Sequence, residues 1–144
     1  MMNKQGLDQQ IVEKLNIKCS KPKLNDWKKV TKLESEQKGE TKIAMVGKYT
    51  ELVDSYKSVN EALIHAGIHN KTNVKIEHID SEKFNKGVTN LDADGILVPG
   101  GFGNRGIKGM LNVVKFAREK NIPYFGICLG MQVAVIEFAR NVLK

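Results

Sequence analysis

Three short, uninterrupted apolar runs constrain this chain more than anything else in it. They are Ile43-Ala44-Met45-Val46, Gly95-Ile96-Leu97-Val98 and Pro123-Tyr124-Phe125-Gly126-Ile127. Each lacks the polar alternation of a half-exposed strand, so each reads as a strand covered on both faces. Between them the apolar spacing turns helical. Val59, Ala62, Leu63 and Ala66 fall at i, i+3, i+4 and i+7, and Met110, Val113, Val114 and Ala117 repeat the pattern. Asp54 or Ser55 is the expected cap of the first helix and Gly67 its expected stop. Val74, Ile76 and Ile79 give a weaker strand signal that belongs near a sheet edge. From Gly130 to Leu143 the chain is apolar on most sides, as a buried helix would be. The order β-α-β-β-α-β-α predicts an α/β fold of three layers, a mainly parallel sheet with helices on both faces. Ligands bind such sheets at the carboxyl ends of the strands. Two glycine-rich turns lie at such ends, after Val98 and after Ile127.

Residues 1–41 are different. Asp8 is the expected cap of a short helix bearing Ile11, Val12 and Leu15, and Asn25 or Asp26 of a second bearing Trp27, Val30 and Leu33. The polar stretch 34–40 reads as an exposed linker. This zone has too few apolar side chains for a core of its own. The expected boundary therefore falls between 1–41 and a domain over 42–144. The whole chain, 144 residues, is the size of one domain or slightly less.

Composition removes several function classes. With 41% hydrophobic and 27% charged residues, the chain is an ordinary globular one. No apolar run approaches the ~18 residues of a membrane span, and no apolar segment follows the first residues as in a signal peptide. Two cysteines far apart in sequence, Cys19 and Cys128, read as thiols in a reducing compartment, which places the protein in the cytoplasm. The net charge is +7, from 23 basic and 16 acidic residues. That charge is spread over both zones and is mostly lysine, so a solvated surface is favoured over a nucleic-acid site.

Gly126-Ile127-Cys128-Leu129-Gly130 has the form Gly-x-nucleophile-x-Gly and joins a buried strand to a helix. This is the pattern of a nucleophile elbow. The glycines leave room for a sharp turn that lifts the sulfur from the sheet edge. The helix that follows favours an anion at its start, and the Leu129 N–H is available to an oxyanion. A cysteine elsewhere is often a small core residue; the flanking glycines and the strand-to-helix context argue for the nucleophile. Gly101-Phe102-Gly103-Asn104-Arg105-Gly106 fits a dinucleotide-binding pattern, but the acidic residue expected ~20 positions on is missing, so a nicotinamide cofactor is set aside. The alternative is that the amides of Gly100, Gly101 and Phe102 face Cys128 and complete the oxyanion hole. Arg105 is either a substrate or effector contact or an exposed cation.

A thiol nucleophile needs a general base and an orienting carboxylate. His65 falls on the expected helix, His69 just after its Gly67 stop and His78 in the weak strand, none of them in a loop at a strand's carboxyl end, and no histidine follows Cys128. The elbow therefore stands without an evident partner, and a sheet ending on its elbow helix reads as cut short.

These residues carry a family resemblance. The segments Val46-Gly47-Lys48-Tyr49, Asp54-Ser55-Tyr56-Lys57-Ser58-Val59-Asn60-Glu61-Ala62-Leu63, Leu97-Val98-Pro99-Gly100-Gly101-Phe102-Gly103-Asn104-Arg105-Gly106 and Gly126-Ile127-Cys128-Leu129-Gly130-Met131-Gln132 resemble the class I glutamine amidotransferase domain of the CTP synthase family, a flavodoxin-like fold. Gln5-Gly6-Leu7-Asp8 and the Trp27 segment resemble the end of that family's synthetase domain and its interdomain linker. The resemblance implies that Cys128 forms a glutamyl thioester. It implies that Gly101 and Leu129 donate to the oxyanion, and that Gly101, Phe102, Leu129, Gly130, Met131 and Gln132 line the glutamine pocket. It places Arg105 in a lid-like loop, 104–109, that couples glutamine binding to activation by GTP. The family makes CTP from UTP, ATP and glutamine with Mg²⁺, as homo-oligomers. Its catalytic His and Glu, its ATP and UTP sites and its second contact to the glutamine carboxylate have no counterpart here. The isolated chain is therefore expected to be an inactive portion needing no cofactor of its own and prone to associate. Two other classes compete: a different cysteine-elbow α/β protein of hydrolase, chaperone or redox-sensor type, and a non-catalytic assembly module. The Val46–Tyr49 and 56–63 motifs argue against the first of these, and light scattering of the pure chain tests the second.

Overall fold

A computed structural model describes residues 2–50 and 54–143 of the chain. The chain divides into two units, Met1–Lys32 and Leu33–Lys144. The first holds a 3₁₀ turn, Met2–Gln5, and helix α1, Leu7–Lys14, neither with a buried residue. α1 starts from Gly6 in the left-handed region and not from a cap by Asp8. Asp8 sits in the first turn, where its carboxylate accepts from Asn3 Nδ2 at 2.6 Å. Helix α2, Asn25–Ser35, also buries nothing, and Trp27 is exposed.

The second unit is a four-stranded parallel sheet in the order β2-β1-β3-β4. Its strands are β1, Glu40–Gly47; β2, Asn73–Asp80; β3, Gly95–Val98; and β4, Tyr124–Gly126. The weak strand signal does lie at an edge. The connections are α3, Lys57–Asn70, between β1 and β2, and α4, Ile107–Lys120, between β3 and β4; α5, Leu129–Phe138, follows β4. Alternation along the strands serves both faces. Met45 and Leu97 pack with Tyr56, Val59 and Leu63 on one side. Ala44, Val46, Ile96 and Val98 pack with Met110, Val113, Val114, Ala117, Leu129 and Val133 on the other. Three layers result, and all four residues of β3 are buried.

Several local expectations are corrected. α3 has no side-chain cap from Asp54 or Ser55; Tyr56 precedes it, and the Asp54 carbonyl accepts from Lys57 N–H. Gly67 does not stop the helix, which runs on to Asn70 and closes at Lys71 with φ +57°. Gly67 is there for close approach: a Cβ would sit 2.7 Å from the Thr72 carbonyl oxygen and from Val74 Cγ2. Ala62 and Ala66 are exposed, so the buried stripe of α3 is narrower than its apolar spacing. In the polar stretch 34–40, Gln37 Nε2 donates to the Thr72 carbonyl at 3.0 Å and Lys38 N–H to the Lys71 carbonyl at 2.7 Å. α5 is not buried all round either. Leu129, Gly130, Val133 and Glu137 are buried, while Met131 (55%) and Val135 (63%) are exposed. No helix of the described residues is long and apolar enough to cross a membrane.

Candidate active site

The strand order places a switch point between β1 and β3, because α3 leaves β1 over one face and α4 leaves β3 over the other. Open parallel sheets form their ligand crevice at such a point, beyond the strands' carboxyl ends. Three segments meet there: Lys48-Tyr49 after β1, residues 99–106 after β3, and Ile127-Cys128 after β4.

Cys128 has φ +51° and ψ −103°. A non-glycine residue with this backbone costs on the order of 1–3 kcal/mol, and such strain gathers at functional sites. The turn is kept by its neighbours. A Cβ on Gly126 would lie 2.4 Å from the Gly130 carbonyl carbon, and one on Gly130 would lie 2.0 Å from the Val98 carbonyl oxygen. No side chain fits at either position, so the elbow can press against β3. Ile127 N–H donates to the same Val98 carbonyl at 3.0 Å, and the Tyr124 hydroxyl donates to the Gly130 carbonyl at 2.7 Å. Cys128 itself is exposed. The Leu129 N–H lies in the first turn of α5, where backbone donors have no partner within the helix.

The glycine loop comes to this turn. A Cβ on Gly100 would meet Cys128 Cβ at 3.6 Å, and one on Gly101 would meet Leu129 Cδ2 at 3.4 Å. Gly101 and Leu129 thus lie side by side, with Cys128 at their edge. Phe102 stands at the loop tip, 88% exposed. Of the other residues expected along a glutamine pocket, Gly130 is buried under β3, and Met131 and Gln132 lie exposed on the first turn of α5. Cys19 is also exposed, but it belongs to the other unit.

Arg105 is not an idle cation. Its Nη1 donates to Glu82 Oε2 at 3.1 Å and to Asp80 Oδ2 at 3.4 Å, and its Nη2 donates to the Lys48 carbonyl. The bond to Glu82, followed by the charge of Asp80, raises the guanidinium's already high pKa further.

Lys48 is the residue that sequence reasoning passed over. It is 3% exposed, and its ammonium donates to the carbonyls of Phe102, at 3.2 Å, and Gly103. Burial, and then the charge of Arg105, lower its pKa. The Tyr56 hydroxyl accepts from the N–H groups of Lys48 and Tyr49, each at 3.2 Å. The available signal was position: a lysine directly after a buried parallel strand stands at the ligand end of the sheet.

The histidines lie elsewhere. His65 and His69 are exposed on α3, and His78, on β2, stacks on Tyr56 with ring centroids 6.1 Å apart. β2 is three strand spacings from β4, roughly 14 Å. Among the described residues no cluster of three or more His, Cys, Asp or Glu is arranged to hold a metal ion.

A strained cysteine lies between a parallel strand and a helix, with a glycine loop laid against it, and the fold around it is that of a class I glutamine amidotransferase. Residues 51–144 match the family model described as glutamine amidotransferase class-I, and the chain belongs to that family. Within the family it is similar to CTP synthase. It is 54% identical over 97% of its length to the CTP synthase of Syntrophus aciditrophicus (strain SB), and it spans 27% of the length of that protein. It is also similar in structure to the glutaminase domain of Trypanosoma brucei CTPS with bound acivicin, at a TM-score of 0.64 and 46% identity. That likeness covers 72% of this chain and 42% of the other.

Proposed function

We propose that the chain supplies the nucleophile half of a glutaminase site serving CTP formation from UTP, ATP and glutamine. Cys128 Sγ attacks the side-chain amide carbon of glutamine. The carbonyl becomes an oxyanion held by the N–H groups of Gly101 and Leu129. Collapse breaks the C–N bond, ammonia leaves with the proton it has taken up, and a thioester remains. Water then releases glutamate and restores the thiol. Gly101, Phe102, Leu129, Gly130, Met131 and Gln132 border the glutamine pocket, and Arg105 belongs to the loop that responds to GTP.

The general base and its carboxylate come from the rest of the domain, since the three histidines here lie away from Cys128. The neighbouring glutaminase domain extends well beyond the 42% of it that this chain covers, which supports that assignment. On this reading the isolated chain turns over no glutamine, because such catalytic sets act as units. Residues 1–41 correspond to the end of a synthetase domain and its linker, and 42–144 to the start of the amidotransferase domain. ATP, Mg²⁺ and UTP act on the synthetase domain of a cytoplasmic homo-oligomer.

The observation that carries this reading is Cys128 at φ +51° beside Gly100, with Gly101 against Leu129. A chimera tests it, in which these 144 residues replace their counterpart in the Syntrophus CTP synthase. The chimera is expected to make CTP from glutamine, and its Cys128→Ser form only from added ammonia. A chimera that uses ammonia but never glutamine overturns the reading.

A further inference from the structure

We propose that Asp80 and Glu82 are positioning residues that act through Arg105 to hold the glycine loop in the conformation that presents its amides to Cys128. This rests on the glutaminase reading of the loop. Neither carboxylate is near the elbow in the sheet: Asp80 ends β2, on the far side of β1. Arg105 reaches both of them while also donating to the Lys48 carbonyl, and Lys48 Nζ holds the carbonyls of Phe102 and Gly103. The loop is thus tied at its tip by Lys48 and at its exit by Arg105.

The anchor for Arg105 is itself fixed. Asp80 Oδ1 accepts from Glu82 N–H at 2.8 Å, which leaves Oδ2 to face the guanidinium. The next residue, Gly106, has φ +72°, and a Cβ there would lie 2.1 Å from the hydroxyl of fully buried Ser81. The loop exit therefore packs directly on the segment that carries the two carboxylates. An arginine suits this place because one planar fork serves two carboxylates and a carbonyl together; a lysine ammonium does not.

Solvent exposure separates positioning from general stabilisation. The side chains are partly open to solvent, with Arg105 at 49%, Glu82 at 47% and Asp80 at 26% exposed. Ion pairs of that exposure contribute little to global stability. Their effect is local, on a loop whose small displacement weakens any reaction that depends on it.

The test compares the full chain with Asp80→Asn/Glu82→Gln and with Arg105→Lys. The backbone ¹⁵N heteronuclear NOE is expected to fall at residues 101–105 in both variants and to stay unchanged at Val113 and Val114 in α4. Glu82→Asp, which keeps the charge, is expected to retain the wild-type values. Modification of Cys128 by acivicin is expected to slow at least ~10-fold, with alkylation by iodoacetamide changed less than about twofold. Unchanged NOE values at 101–105 in the double variant overturn the proposal. If wild-type Cys128 takes up acivicin no faster than Cys19 does, the glutaminase reading fails, and the NOE comparison still decides the clamp.

Discussion

Cys128 pays for its place in the elbow with backbone strain. At φ +51° and ψ −103° it occupies a region that glycine enters without penalty. Cys128→Gly is therefore expected to raise stability by about 1 kcal/mol, the strain relieved less the entropy glycine adds. Thermal unfolding reads this as a melting temperature higher by roughly 3 °C; a lower one contradicts the assignment of strain. The candidate site was legible at the residue scale where chemistry and local geometry coincide. The Gly-x-Cys-x-Gly pattern located the turn, and the glycine loop located its neighbour. Lys48 was not legible, because its role depends on carbonyls 54 and 55 positions away, at Phe102 and Gly103. Arg105 was legible as a loop cation, but not its carboxylate partners, which come from the far edge of the sheet.

Among the elements, α5 departs furthest from its sequence pattern. Its apolar composition predicted burial on most sides, yet one of the groups buried on its inner face is charged. Glu137 is 2% exposed and accepts from Arg118 of α4, at 3.0 Å from Nε and 2.7 Å from Nη2, and from Asn141 at 3.0 Å. Arg118, and then Asn141, hold its carboxyl below its usual pKa against the cost of burial. A carboxylate whose pKa is lowered by folding stabilises the fold above its unfolded value, about 4.3, and loses that contribution as pH falls through the lowered folded value. Glu137→Gln is expected to cost about 1–3 kcal/mol at pH 7, since Arg118 keeps some contact with water. Urea unfolding at a series of pH values checks it: the difference from wild type should shrink below about pH 4, and a constant difference contradicts the role. A lone glutamate in an apolar run gives no hint of an arginine 19 residues earlier. Gly67 misled for a related reason, since it serves a contact with β2 and not a helix end.

At the scale of the whole sheet, the apolar runs and helical spacings were enough to predict a parallel three-layer fold, because burial on both faces marks β1 and β3 directly; β4 carries the same apolar mark, but none of its three residues is buried. Strand order was not readable in that way; it sets β2 at one edge and β4 at the other and so brings Lys48, the glycine loop and Cys128 together. The same order leaves Phe125 of β4 64% exposed, next to a helix whose Val135 and Phe138 are exposed as well. Apolar surface beside an open strand edge invites association. Light scattering is expected to show a mass that rises with concentration, and Val135→Glu/Phe138→Lys to hold it near that of one chain; a wild-type monomer at all concentrations contradicts this. The central claim is that Cys128 is the nucleophile of a glutamine site, and mass spectrometry of the chain treated with acivicin tests it most directly. The account predicts one adduct, on Cys128 and not on Cys19, slowed by glutamine and absent in Cys128→Ser. Equal labelling of the two thiols, or labelling that glutamine does not slow, would contradict it.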